Sequence, residues 1–216
     1  MFEEKIFKDD IINALIKQRN YQTYLEIATK YSGHRYQYIC NIEKERIWSL
    51  ADPQDSDDYP VTYRMSSDDA FKIINKKYDI ILVDGWHNFD QVERDIFNSL
   101  ACLTNDGILV VHDCNPSTYK CTRDMQSVTE MIEKTQGVWC GNVYQVIIKL
   151  KITRPDLKIQ VVDTDFGCGL IEKKNSEHVK LPKAKLIKWK YFCKHRAQLL
   201  DLISVETFKK SYLTAL

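Results

Sequence analysis

The chain has 216 residues, 44% of them hydrophobic, enough to bury an ordinary core in a single domain. Lys and Arg number 31 against 30 Asp and Glu, so no basic surplus points to nucleic acid as a partner. Seven cysteines without a CxxC pair argue against a disulfide framework or a zinc ribbon; with no signal-peptide core and no apolar run near the roughly 20 residues of a membrane span, a cytoplasmic location is expected.

In chain order, Asp9–Arg19 spaces Ile11, Ile12, Leu15 and Ile16 on one face of a leading helix. Tyr21–Ile27 reads as a strand, and Ser32-Gly33 introduces a helix over Arg35–Ile42. Arg46–Leu50 is a second strand, followed by an acidic, turn-forming loop at Asp52–Pro60. Val61–Met65 could add a short strand, and Ser66 or Ser67 before Asp68-Asp69 starts a helix into Ala70–Asn75. Asp79–Val83 is an unbroken apolar run, as a parallel strand buried on both faces requires. Phe89–Cys102 is an amphipathic helix, Asn105–Gly107 a turn, and Ile108–His112 another buried strand. Beyond Pro116 the pattern loosens: a helix at Asn142–Lys151, strands at Leu157–Asp163 and Gly167–Glu172, then helices at Leu186–Ile203 and Val205–Leu213. Alternating strands and helices predict a doubly wound α/β core over residues 21–172, flanked by an N-terminal helix (1–20) and a helical extension (173–216).

Ligands in such sheets bind beyond the carboxyl ends of the strands. Those positions hold Glu26-Ile27-Ala28, Asp52, Asp84–His87 and His112-Asp113, four polar clusters emerging from apolar strands. An acid such as Asp52 after the second strand can accept hydrogen bonds from ribose hydroxyls, or simply form the turn before Pro53. Glycine is scarce, seven in all, and no GxGxxG follows the first strand. A cofactor with adenosine but no pyrophosphate is the better fit.

At this point the residues resemble a family. Tyr24-Leu25-Glu26-Ile27 followed by Gly33 is similar to the first motif of class I S-adenosylmethionine-dependent methyltransferases, with Ala28 and Ser32 where glycines are usual. Met65-Ser66-Ser67-Asp68 resembles the segment bordering adenine. ILVDGWH (81–87) and GILVVHDCNP (107–116), with GNVY (141–144) and DFGCG (165–169), resemble a bacterial subgroup associated with polysaccharide and sugar methylation. The resemblance implies a Rossmann-like doubly wound, mostly parallel seven-stranded sheet with an antiparallel last strand. It also implies S-adenosylmethionine held by Glu26, Ala28, Gly33, Asp52, Ser67, Asp68, Asp84 and Trp86, with a small-molecule or glycan acceptor and a homodimer as a further expectation.

O-methylation needs an in-line methyl group, a close oxygen and a proton acceptor. His87, on the loop after a buried strand, is the candidate base, with Asp84 and Asp113 beside it; the plain alternative is a surface histidine at a helix start. Trp86 either flanks the adenine, walls the pocket or packs in the core. The order strand–Asp, base, strand–Asp also resembles cation-dependent catechol-type methyltransferases, which implies a divalent cation (Mg²⁺ or Mn²⁺) on Asp84, Asp113 and His112. Cys114 stands where those enzymes carry an amide ligand, leaving Asn115 or His112 to substitute. Among the cysteines, Cys114 alone sits where reactivity would matter. The basic, aromatic stretch Lys180–Arg196 reads as a solvated helix face or as an interface. A catalytically silent relative and a metal-dependent hydrolase are the competing functional readings.

Overall fold

A computed structural model describes residues 6–28, 35–48, 60–176 and 187–213. The strands are Thr23–Ala28 (β1), Glu43–Trp48 (β2), Tyr78–Asp84 (β3), Leu103–Val111 (β4), Lys158–Val162 (β5), Cys168–Glu172 (β6) and Leu202–Ile203 (β7). They form one sheet in the order β2-β1-β3-β4-β6-β5-β7, with β6 antiparallel to both its neighbours and the other six strands aligned. The expected mostly parallel, Rossmann-like sheet is therefore present. Its one antiparallel strand is β6, and the short β7 that follows returns to the common direction.

Side chains alternate across each strand, so the two sheet faces bury separate sets. Leu25, Ile27, Ile81, Val83, Leu109 and Val111 meet the helices Phe89–Cys102 (α3), Val143–Thr153 (α5) and Trp189–Leu200 (α6), with Ser67–Ile73 (α2) at the margin. Tyr24, Ile80, Leu82, Ile108 and Val110 meet Lys8–Arg19 (α1) and Val205–Tyr212 (α7). On α3, Val92, Ile96 and Leu100 are buried as their spacing predicts, each worth about 1.5–3 kcal/mol of apolar burial. The chain reverses its direction of travel across the sheet between β1 and β3, which opens a crevice at their carboxyl ends. Ala28 and Asp84 are register partners at that point.

Several boundaries differ from those read in the sequence. Residues 35–38 make one 3-10 turn instead of a helix to Ile42. The reason is Asn13 on α1, whose amide bonds the Tyr38 carbonyl and the Cys40 N–H, both at 2.8 Å, replacing helical partners. The turn at Asn105–Gly107 is absorbed into β4 as a register shift against β3. The Val61–Met65 strand shrinks to a bridge from Tyr63 to Ile47. The tail is not wholly helical: Asp201 takes a left-handed conformation (φ 51°), ends α6 and turns Leu202–Ile203 onto β5. A further helix, Val128–Thr135 (α4), lies in the stretch where periodicity is weak. Gly33 and Asp52, with Ser32 and most of the acidic loop, lie outside the described residues. No helix among the described residues is long and apolar enough to cross a membrane.

One buried charge on α3 makes a pH-dependent contribution. Burial raises the Asp95 carboxyl to about 6, against hydrogen bonds from Ser67 and Gln91 that favour the ionised form. Its Oδ2 has no hydrogen-bond partner. Because the folded state holds this proton more tightly than the unfolded chain, the stabilisation is present in acid and lost as pH rises through about 6. Asp95→Asn is expected to gain on the parent protein between about pH 4 and pH 7, by on the order of 2 kcal/mol. Thermal melts of both proteins across that range check this; a difference that does not change with pH would refute it.

Candidate active site

Strand ends and one helix start converge on the crevice. β3 ends in Asp84, and the chain after β4 continues as His112-Asp113, tied to the sheet by His112 N–H donating to the Val83 carbonyl at 3.0 Å. Asp113 is left-handed (φ 61°), a conformation that Asp tolerates better than most residues. The bend brings its carboxylate alongside two imidazoles, 3.4 Å from His87 Nδ1 and 3.3 Å from His112 Nδ1. The fourth contributor is the turn between β5 and β6, where Asp165 and Phe166 are both left-handed before Gly167. Asp165 Oδ2 lies 3.2 Å from His112 Nε2 and accepts the Lys8 N–H at 3.0 Å. Lys8, from the first turn of α1, sets its Nζ 2.5 Å from Asp84 Oδ2, while Asp84 Oδ1 is 3.1 Å from His112 Nδ1.

These groups are buried, so each needs its partners to stay charged. Burial opposes the Asp84 charge, but Lys8 and His112 outweigh it and hold the carboxyl well below its usual range. Burial likewise opposes a charged His112; Asp113 and Asp84 overcome both that and the repulsion of Lys8, raising His112 well above an ordinary imidazole. Asp165 is lowered despite burial by His112 and the Lys8 backbone. His87 is raised less strongly, burial being offset by its interactions with Asp84 and Asp113.

His87 is aimed by a second layer. Its Nδ1 is 2.9 Å from the Trp139 carbonyl, which fixes Nδ1 as the protonated nitrogen in the neutral ring. Nε2 is then buried without a hydrogen bond, its nearest carboxylate oxygen being Asp84 Oδ1 at 3.5 Å. Trp139 packs against Trp86, ring centroids 4.6 Å apart and planes tilted by 59°, and against Met125 and Met131, so the histidine rests on an apolar satellite cluster. Gly141 closes the loop from behind. At φ 53°, an added Cβ there would lie 2.2 Å from the His87 carbonyl oxygen.

The profile of the family described as "Methyltransferase domain" matches residues 14–114. The match spans just under half of the chain, from within α1 to the residue after Asp113. Solved structures of low identity share its fold. A Staphylococcus aureus protein assigned as a caffeoyl-CoA O-methyltransferase is 18% identical, over 76% of this chain and 82% of that one, with a TM-score of 0.50. The methyltransferase PaMTH1 of Podospora anserina, solved with S-adenosylhomocysteine, is 14% identical over 78% of each chain, at 0.54. The O-methyltransferase TomG of Streptomyces achromogenes, solved with S-adenosylmethionine, is 11% identical over 78% and 80%, at 0.52. No curated protein matches the sequence. The fold of the sheet is thus shared with methyltransferases solved with S-adenosylmethionine or S-adenosylhomocysteine.

The residues picked out in the sequence separate into two groups. Asp84, His87, His112 and Asp113 come together as described. Glu26 lies on the same sheet face but is engaged: Tyr24 donates to its Oε2 at 2.6 Å and Arg46 Nε lies 3.4 Å from Oε1, while burial pushes the carboxyl up to about 7. Ser67 bonds Gln91, and Asp68 pairs with Arg94, both on α3. Trp86 packs on Trp139, which favours a wall or packing role over adenine contact. Cys114 is not reactive: it is fully buried, its thiol donates to the Val111 carbonyl at 3.1 Å, and burial drives its pKa upward. Arg196, from the basic stretch, bonds Asn115 Oδ1 and the Pro116 carbonyl and so braces the HDCNP loop.

Sequence reasoning missed Lys8, Trp139 and the role of Asp165. Asp165 alone left a signal, its place in DFGCG before a glycine whose Cβ would meet Asn115 N at 2.4 Å.

For a divalent cation, Asp84, His87 and Asp113 offer ligand atoms within 4.8 Å of one another, while His112 groups with Asp165 and Cys168. The fit is poor. Both Asp84 oxygens are taken by Lys8 and His112, Cys114 turns its thiol to backbone, and the Asn115 amide bonds Asp163 and Arg196.

Gly141→Ala is expected to push the His87 loop aside, lowering the melting temperature and reducing the activity of the site by about 100-fold, since a displacement near 1 Å has that effect on a positioned group. Activity and a thermal melt on one sample check this; unchanged activity would show that His87 is not held from this side.

Proposed function

We propose that this methyltransferase moves the methyl group of S-adenosylmethionine to a hydroxyl oxygen of a sugar or another polyhydroxylated small molecule, with His87 as general base. The observation that carries the reading is His87 itself: Nδ1 is committed to the Trp139 carbonyl, and Nε2 is buried with its lone pair unused. An imidazole in that state can take the acceptor's proton, and Asp84 and Asp113 stabilise the imidazolium that results. The bound donor supplies an electrophilic methyl group on a sulfonium.

Support for the donor's place comes from the crevice beyond β1 and β3, where Ala28 has room for close approach second only to glycine. Glu26, Gly33 and Asp52 complete the donor set on the sequence resemblance. Ser67 and Asp68 would act there through their backbone, because α3 engages their side chains. The acceptor class is supported by the groove beside the His87 loop, lined by Asn88, Asp124, Asn142 and Gln145 and continued by Tyr119 and Tyr144. Amides, an acid and aromatic rings suit a ligand rich in hydroxyl groups more than a flat apolar one.

Calorimetry with S-adenosylmethionine and S-adenosylhomocysteine is the first test, and no heat from either at about millimolar concentration would end the proposal. His87→Ala is expected to lower kcat by about 10²- to 10⁴-fold with donor affinity unchanged. In the parent enzyme kcat/KM should rise with pH through a midpoint above the ordinary imidazole value of about 6.5, because the neighbouring carboxylates raise His87. Asp113→Asn should move that midpoint down; a midpoint that stays put would remove His87 from the base role.

A further inference from the structure

A buried lysine is unusual, and Lys8 is 7% exposed. Its position is built rather than incidental. Thr164 Oγ1 donates to the Ile6 carbonyl at 2.6 Å, the Lys8 N–H donates to Asp165, and Asp9 pairs with Arg35 at 2.9 Å. The first two contacts fix the first turn of α1 against the β5–β6 turn, and the third ties it to the turn at 35–38. The amine is thereby delivered to Asp84 Oδ2, within the field of Asp113 and Glu26 as well.

We propose that the Lys8 ammonium is the resident cation of this site, standing where a divalent metal would otherwise bridge Asp84 to its surroundings, and that the enzyme works without one. Three features agree. The ammonium lies 2.5 Å from one Asp84 oxygen and His112 Nδ1 3.1 Å from the other, so a metal would have to displace groups already in place. Asp84, His87 and Asp113 offer ligand atoms within 4.8 Å of one another, so the amine on Asp84 holds a place that an ion could take. Finally, a lysine cation needs no dehydration of a bound ion and remains when metal is scarce. Lys8 is a positioning residue: it keeps Asp84 ionised and oriented toward His87. This inference rests on the proposed methyl transfer only for its activity arm.

The test uses Mn²⁺ as probe. The wild-type protein should show no stoichiometric Mn²⁺ by electron paramagnetic resonance at about millimolar ion, and its activity should survive EDTA. Lys8→Ala should bind one Mn²⁺, and Lys8→Ala with Asp84→Asn should lose it again. Activity of the Lys8→Ala enzyme should fall and be partly restored by Mn²⁺ or Mg²⁺. Stoichiometric Mn²⁺ in the wild type, or EDTA-sensitive activity rescued by Mg²⁺, would overturn the proposal, and the wild-type measurement stands even if the variant does not fold. A folded Lys8→Ala protein that binds no Mn²⁺ would also overturn it, by showing that the site was never one a metal could take. Failure of donor binding in calorimetry would instead strike the methyltransferase reading and leave the Mn²⁺ result independent.

Discussion

Charges taken out of water must find partners inside, and the carboxyl ends of β3 and β4 bury several at once. Asp84, Asp113 and Asp165 face Lys8 and His112 with every pair between 2.5 and 3.3 Å. Losing one member of such a set leaves the others uncompensated, at about 3–5 kcal/mol for a buried pair. The cluster therefore dictates architecture around it. The start of α1 must dock on the β5–β6 turn, because only there can Lys8 reach Asp84 and Asp165 together. What reads in sequence as a leading helix outside the core is a wall of the site.

That dependence explains what was legible. β1, β3 and β4 carry apolar side chains on both faces, and continuous burial of that kind is written directly in a run of residues. The α3 stripe is equally local, and its bounds, Phe89–Cys102, follow from periodicity. Asp84, His87 and Asp113 stood out because they interrupt or follow such runs. Lys8 could not stand out: it precedes two aspartates at a helix start, where a lysine ordinarily faces water. Its partner is 76 residues away, and that of its N–H is 157 away. Trp139 and Gly141 lie beyond the regular pattern for the same reason. Their meaning is a contact with His87, more than fifty positions earlier.

Two of the glycines mark where backbone must approach backbone. Gly141 backs the His87 loop, and Gly167 lies against Asn115, so both serve the side of the site that would receive the acceptor. The β1 end, where the donor is proposed to lie, has Ala28 instead. Space has been kept where the loops supporting the base and the HDCNP turn cross, and slightly reduced at the cofactor. A Cβ at Ala28 narrows the crevice without blocking it, which favours a weaker donor affinity over loss of the reaction.

Counted formally, Lys8 and His112 leave one of the three carboxylates unbalanced while His87 is neutral. A surplus negative charge in a buried crevice has two consequences on the proposed reading. It attracts a sulfonium, whose positive charge is delocalised on the donor and needs no metal to receive it. It also raises His87, making the imidazole a better proton acceptor but leaving a larger fraction already protonated at a given pH. His87 is raised less than His112, which faces Asp165 in addition to the Asp84 and Asp113 that both rings share, and this holds even though Lys8 repels His112. Two histidines within 3.5 Å of the same two acids thus diverge by their count of carboxylate neighbours: the one with three serves the charge network, and the one with two is the proposed base.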